Sequence, residues 1–227
     1  IRTGDCQAEA ETSIAFETYG TGPPVVLVHG TAGDHTDWAR LRPYLEEHFT
    51  VYAMDRRGYG RSGDAETYQL DWEFEDVASL VEHVDEPTCL VGHSFGGLCA
   101  LEGALRVANI REVLLYDPVI PIREEGLVPE SVVEQLDRFI LSNERDEAVS
   151  LFIRGIAGLP KDEIDGLEGT DDWRTVVRTI HMAPREIRGL NAYRFDAERF
   201  QELDVPVQIF IGGESTGFMK QMSEVVA

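Results

Sequence analysis

Apolar and polar residues alternate along Ser13–Tyr19, the period-two pattern of a half-buried strand. Residues 25–28 are instead continuously apolar (Val-Val-Leu-Val), which fits a parallel strand covered on both faces. Trp38, Leu41, Leu45 and Phe49 then recur at helical spacing, and residues 51–54 form a further short apolar run ending in the glycine-rich loop 55–63. Leu70, Phe74, Val77 and Val81 mark an amphipathic helix. Residues 88–91 and 113–116 predict two more strands, with a buried helix through Leu98, Leu101 and Leu105 between them. Short strands separated by helical stretches mean βαβ units and a mostly parallel sheet with helices on both faces.

After Pro118 the rhythm breaks. From 121 to 203 only helical signals occur. A Ser131-x-x-Glu134 capping box precedes the face Val132, Val133, Leu136, Phe139 and Ile140, and Trp173, Val176, Val177 and Ile180 repeat that spacing up to Pro184. Strand character returns at 205–211. The expected organisation is an α/β core formed by residues 1–120 and 204–227, interrupted by a helical cap at 121–203. There are no internal repeats and no low-complexity linkers.

A chain of 227 residues suits one domain with a full core. Its 42 acidic residues against 20 basic ones give a net charge of −22, and Lys161 and Lys220 are its only lysines. Such a surface repels phosphate backbones and anionic lipid, so nucleic acid and membranes are poor partners. No apolar run has the length of a membrane span. The acidity with so little lysine favours adaptation to high salt over simple solubility, because screening relieves self-repulsion. Cys6, Cys89 and Cys99 lack metal-ligand or disulfide spacing, so no metal site is expected. The first residues show no signal-peptide pattern, and the cytoplasm is the expected location.

The strongest chemical signal is Gly92-His93-Ser94-Phe95-Gly96-Gly97, a G-x-S-x-G pentapeptide between a predicted strand and a predicted helix. A strand turning at once into a helix raises the central side chain above the sheet edge, which makes Ser94 the candidate nucleophile. The helix N-terminus then offers free N–H groups to a developing oxyanion. Gly58-Tyr59-Gly60-Arg61-Ser62-Gly63 also matches the G-x-G-x-x-G dinucleotide fingerprint. A genuine fingerprint opens a helix directly, whereas here Asp64 to Leu70 intervene, so no nucleotide or other cofactor is expected.

With these residues the sequence resembles the α/β-hydrolase family along nearly its whole length. Val25-Val26-Leu27-Val28-His29-Gly30-Thr31 is similar to the family's strand and His-Gly segment, and Asp34-His35 with Trp38, then Asp55-Arg56-Arg57-Gly58-Tyr59-Gly60-Arg61-Ser62, resemble its next two landmarks. Leu115-Tyr116-Asp117-Pro118 and Ile211-Gly212-Gly213-Glu214-Ser215 are similar to the ends of its sixth and seventh strands. The resemblance implies an oxyanion hole from the amides of Thr31 and Phe95, and structural or loop-shaping roles for His29, His35 and His93. It also implies a cap between strands six and seven.

The family's acid usually stands last in G-x-x-D after strand seven, where this chain has Ser215. Some members of the family instead place the acid after strand six, where this chain has Asp117, so the resemblance makes Asp117 the preferred acid, with Glu214 as the alternative. The family's histidine follows an eighth strand, and no histidine follows His181, which falls on a cap helix. The expectation is a core lacking its C-terminal part, with the base supplied from beyond it. The implied activity is a serine hydrolase acting on a small-molecule ester or similar acyl compound. A non-catalytic small-molecule binder of the same fold is the alternative, and an acyltransferase or cofactor-free perhydrolase on the same triad is a third reading.

Overall fold

The computed structural model describes residues 1–122, 126–158, 164, 166–213, 215 and 220–221. Seven strands form one sheet: β1 (Arg2–Gln7), β2 (Ser13–Tyr19), β3 (Pro24–Val28), β4 (Thr50–Met54), β5 (Thr88–His93), β6 (Ile110–Tyr116) and β7 (Val207–Phe210). Their order is β1-β2-β4-β3-β5-β6-β7. The pairs β1/β2 and β2/β4 are antiparallel and the remaining pairs parallel. The expected mostly parallel α/β sheet is therefore present.

Strand alternation sorts the core. Val26, Val28, Leu90, Val113 and Leu115 face α2 (Leu70–Val84) and α3 (Phe95–Ala104), where they pack with Phe74, Val77, Leu98 and Leu101. Val25, Leu27, Val51 and Cys89 face the opposite way and pack with Trp38. Paired register places Gly92 beside Leu115 and His93 beside Tyr116, which brings the carboxyl ends of the central strands to one edge. Ligand sites of open α/β sheets lie at that edge.

Two local expectations need correction, and one strand was not expected. The helix predicted through Trp38 to Phe49 is a 3-10 turn (His35–Trp38) followed by the single turn α1 (Arg42–Leu45). Pro43 lacks an N–H and its ring would clash with the carbonyl four residues back, so the helix cannot run on. The Ser131 capping box does not form. The helix α4 (Glu130–Leu141) already begins at Glu130 with Pro129 at its N-cap, leaving Ser131 inside the first turn. β1 had no pattern to announce it: only Cys6 of its six residues is buried, and it is held by backbone pairing at the sheet edge.

Between β6 and β7 every described element is helical: α4, α5 (Arg145–Phe152), α6 (Asp171–Thr179), α7 (Ala183–Ala192) and the short α8 (Ala197–Phe200). Val133, Leu136, Val149, Trp173, Ile180 and Ile187 make a separate hydrophobic cluster, joined from the main body by Ala32. Leu190 belongs to the main core, with Tyr193, Phe195, Phe200 and Leu203 laid against it. No helix among the described residues is long and apolar enough to cross a membrane.

Candidate active site

β5 ends at His93 and α3 begins at Phe95, so Ser94 makes the whole turn. It takes φ 54° and ψ −123°, a region costly for a residue with a Cβ. The neighbours over-determine it. Ser94 N–H donates to the Tyr116 carbonyl at 3.1 Å, and its own carbonyl accepts from Gly97 N and Val119 N, each at 2.9 Å. The turn also demands glycine on either side. A Cβ at Gly92 would strike the Gly96 carbonyl, and one at Gly96 would strike the carbonyls of Val28 and His29. The Ser94 hydroxyl makes no hydrogen bond among the described residues.

The loop after β3 stands beside this serine, since a Cβ on Gly30 would lie 3.0 Å from Ser94 Cβ. Phe95 is the first residue of α3, where the N–H has no intrahelical acceptor. Thr31 is half-buried, and its N–H has no acceptor among the described residues. The Gly30 carbonyl is engaged by His29 Nδ1 at 2.8 Å and Arg56 Nη2 at 3.2 Å. His29 Nε2 accepts the Arg56 backbone N–H at 3.0 Å, so Nδ1 carries the ring proton and donates. Burial, with the Arg56 charge, pushes His29 down to about 3, and it stays neutral.

Asp117 ends β6 with φ 41° and is buried. Its N–H donates to the Phe210 carbonyl at 2.9 Å, which ties it to β7. Its Oδ1 accepts from Gly212 N at 3.2 Å and from Ser215 Oγ at 2.7 Å. Ser215, at the position where the family's acid usually stands, is instead a donor to Asp117. The signal was present: a hydroxyl at the usual place of the strand-seven acid, opposite an aspartate on strand six. Glu214, the alternative acid, lies outside the described residues.

None of the six histidines bonds to Ser94 or Asp117 among the described residues. His35 bonds Asp55 Oδ1 through its backbone N–H at 3.0 Å and Nδ1 at 2.7 Å, which raises its affinity for a proton. His93 stacks on Tyr116 with centroids 5.3 Å apart, and burial lowers its pKa. His83 packs beside Phe16, His48 is exposed, and His181 is exposed with Nδ1 3.1 Å from the Arg178 carbonyl. Asp34, His35 and Asp55 lie close enough to share a cation. Their acceptor atoms are taken by protein donors, however: Thr36 and Arg178 on Asp34, and His35 and Arg61 on Asp55. The loop 58–63 closes on itself through Gly58 N–H to the Gly63 carbonyl at 2.8 Å and is followed by no helix until Leu70, so it is not a nucleotide cradle.

Behind the loop lies a buried charge cluster. Arg56 pairs with Glu186 of α7 at 2.7 Å and with Glu73 of α2 at 3.2 Å, all three fully buried. Tyr59 Oη donates to Glu186 Oε1 at 2.8 Å and accepts from Ala32 N at 3.2 Å. Arg57 makes a two-pronged bond to Asp76, both contacts at 2.6 Å. The sequence motif names Arg56 and Arg57 but not their partners, which lie on other elements.

A model of the alpha/beta hydrolase family matches residues 25–222. The chain is 27% identical over 225 residues to the uncharacterized hydrolase YraK of Bacillus subtilis (strain 168), covering 95% of this chain and 79% of that protein. It is 35% identical over 98 residues to a pimeloyl-[acyl-carrier protein] methyl ester esterase of Vibrio vulnificus (strain YJ016). That match covers 43% of this chain and 37% of the esterase. The crystal structure of an alpha/beta hydrolase from Sphaerobacter thermophilus superposes with a TM-score of 0.86 at 28% identity, covering 99% of this chain and 88% of that one.

Proposed function

The chain belongs to the alpha/beta hydrolase family, and from that premise we propose that it is a serine hydrolase cleaving an ester or similar acyl bond through an acyl-enzyme on Ser94. The observation that carries this reading is the backbone of Ser94, held at φ 54° between a strand and a helix N-terminus with its hydroxyl uncommitted. Strain of that kind persists where the surroundings enforce it, and such residues cluster at reacting centres.

In this reading Ser94 Oγ attacks the acyl carbonyl while its proton passes to a base. The carbonyl oxygen, now negative, is held by the N–H groups of Thr31 and Phe95. Collapse expels the alcohol, which takes the proton from the base, and water then releases the acid by the same route. Asp117 orients the base and stabilises it when charged. The base in this reading is a histidine, and none of the six in this sequence bonds to Ser94 or Asp117 among the described residues. A serine at the elbow speaks against the carboxylate-nucleophile chemistry of this fold. The partial match to a methyl ester esterase supports an acyl ester as the substrate class. The helices between β6 and β7 serve as a cap that selects the substrate.

The test is pre-steady-state hydrolysis of p-nitrophenyl acetate by the full-length protein. A burst of one nitrophenol per enzyme, absent from Ser94→Ala, is the expected result. Turnover unchanged by Ser94→Ala overturns the proposal, as does ligand binding with no turnover, which is the behaviour of a non-catalytic binder.

A further inference from the structure

The oxyanion loop is tied to the helical insertion through one carboxylate. Gly30 C=O points into the protein, towards the donors His29 Nδ1 and Arg56 Nη2. In a trans peptide the N–H lies opposite the C=O, and the chain contains no cis bond among the described residues. The Thr31 N–H is therefore directed away from Arg56. The next peptide is fixed separately. Ala32 sits at φ 60° and its N–H donates to Tyr59 Oη. That oxygen is free to accept because its proton is spent on Glu186 Oε1.

Glu186 Oε1 thus holds both supports, accepting from Arg56 Nη2 at 2.7 Å and from Tyr59 Oη at 2.8 Å. It belongs to α7, in the insertion, whereas the loop, Arg56 and Tyr59 belong to the sheet body. The Ala32 carbonyl receives the Thr179 hydroxyl at 2.7 Å, a proton that Thr179 shares with the Thr175 carbonyl at 2.8 Å. Ala32 itself is the body's contribution to the insertion's hydrophobic cluster.

We infer that Glu186 is a positioning residue for the oxyanion hole, setting the two peptides around Thr31 through Arg56 and Tyr59. The insertion then does more than cover the site: its docking orients a donor of the reaction. This rests on the reading of Thr31 as an oxyanion donor. An internal carboxylate between two donors in low dielectric holds them more firmly than water would. Losing it frees the loop without touching the substrate.

The experiment uses Tyr59→Phe and Glu186→Gln in the full-length protein, with two readouts. The first is hydrogen exchange at the Ala32 amide of the unliganded protein. It should accelerate at least tenfold in both variants while exchange in β3 and β5 stays unchanged. The second is ester hydrolysis, where kcat should fall about tenfold or more with KM altered less than about threefold, as for an interaction made in the transition state. Tyr59→Phe keeps the Arg56–Glu186 pair, so it remains informative if Glu186→Gln folds poorly. Unchanged Ala32 exchange in Tyr59→Phe overturns the relay, and so does a loss that falls entirely in KM. A wild-type protein with no esterase activity contradicts the reading of the site instead, and exchange at Ala32 still judges the relay.

Discussion

Ser215 Oγ lies 2.7 Å from Asp117 Oδ1, so a hydroxyl at the end of strand seven holds the carboxylate at the end of strand six. Asp117 N–H reaches back to Phe210, and Gly212 N–H adds a second donor to Oδ1. Among the described residues both donors fall on Oδ1, and in the proposed mechanism Oδ2 is the oxygen that receives an imidazole. In the proposed mechanism the acid stands on β6's side of the β6/β7 pair, and Ser215 supports it.

The two roles predict unequal losses. Asp117→Asn should lower kcat by about 10⁴, the scale for neutralising a triad acid. Ser215→Ala removes one of the two donors and should cost about tenfold, in the range of one hydrogen bond to a charged group. Steady-state kinetics on the two variants checks the ranking. A larger loss from Ser215→Ala than from Asp117→Asn would remove Asp117 from the acid's place.

Glu73 should contribute to the pH dependence of stability. Complete burial pushes its carboxyl up to about 7, against the opposing pull of Arg56. A raised carboxyl binds its proton more tightly folded than unfolded. Its contribution to stability is whole below the unfolded value near 4.5 and is lost as the pH rises through about 7. The melting temperature of the wild type should therefore fall between pH 5 and pH 8 more steeply than that of Glu73→Gln. Parallel curves for the two proteins would show that Glu73 carries no such linkage.

Salt should govern stability as well. With a net charge of −22, close carboxylates repel one another. The Debye length shrinks from ~30 Å at 0.01 M to ~3 Å at 1 M. The melting temperature should rise markedly from dilute buffer to molar KCl. A flat or falling curve would leave the acidity as ordinary solubility charge.

The sheet and the strand-to-helix turn at Ser94 were legible because both are local. Runs such as 25–28 and 88–91 carry their burial in their composition, and a glycine on each side of Ser94 is a steric demand of the turn itself. β1 was invisible because an edge strand held by backbone bonds needs no apolar pattern. Pro43 broke a helix whose side-chain spacing was otherwise sound. The supports of the site were hidden for a different reason. Ser215 and Asp117 are 98 residues apart, and Arg56 and Glu186 are 130 apart. No single-sequence pattern links a serine or a glutamate to a partner at such separations.

Everything in this account turns on Ser94 as an activated nucleophile. The direct measurement is labelling of the full-length protein with a fluorophosphonate probe, followed by mass spectrometry of the digested adduct. The account predicts rapid labelling with one adduct, on the peptide containing Ser94, and none in Ser94→Ala. Absence of labelling in the wild type, or an adduct that survives Ser94→Ala, would contradict it.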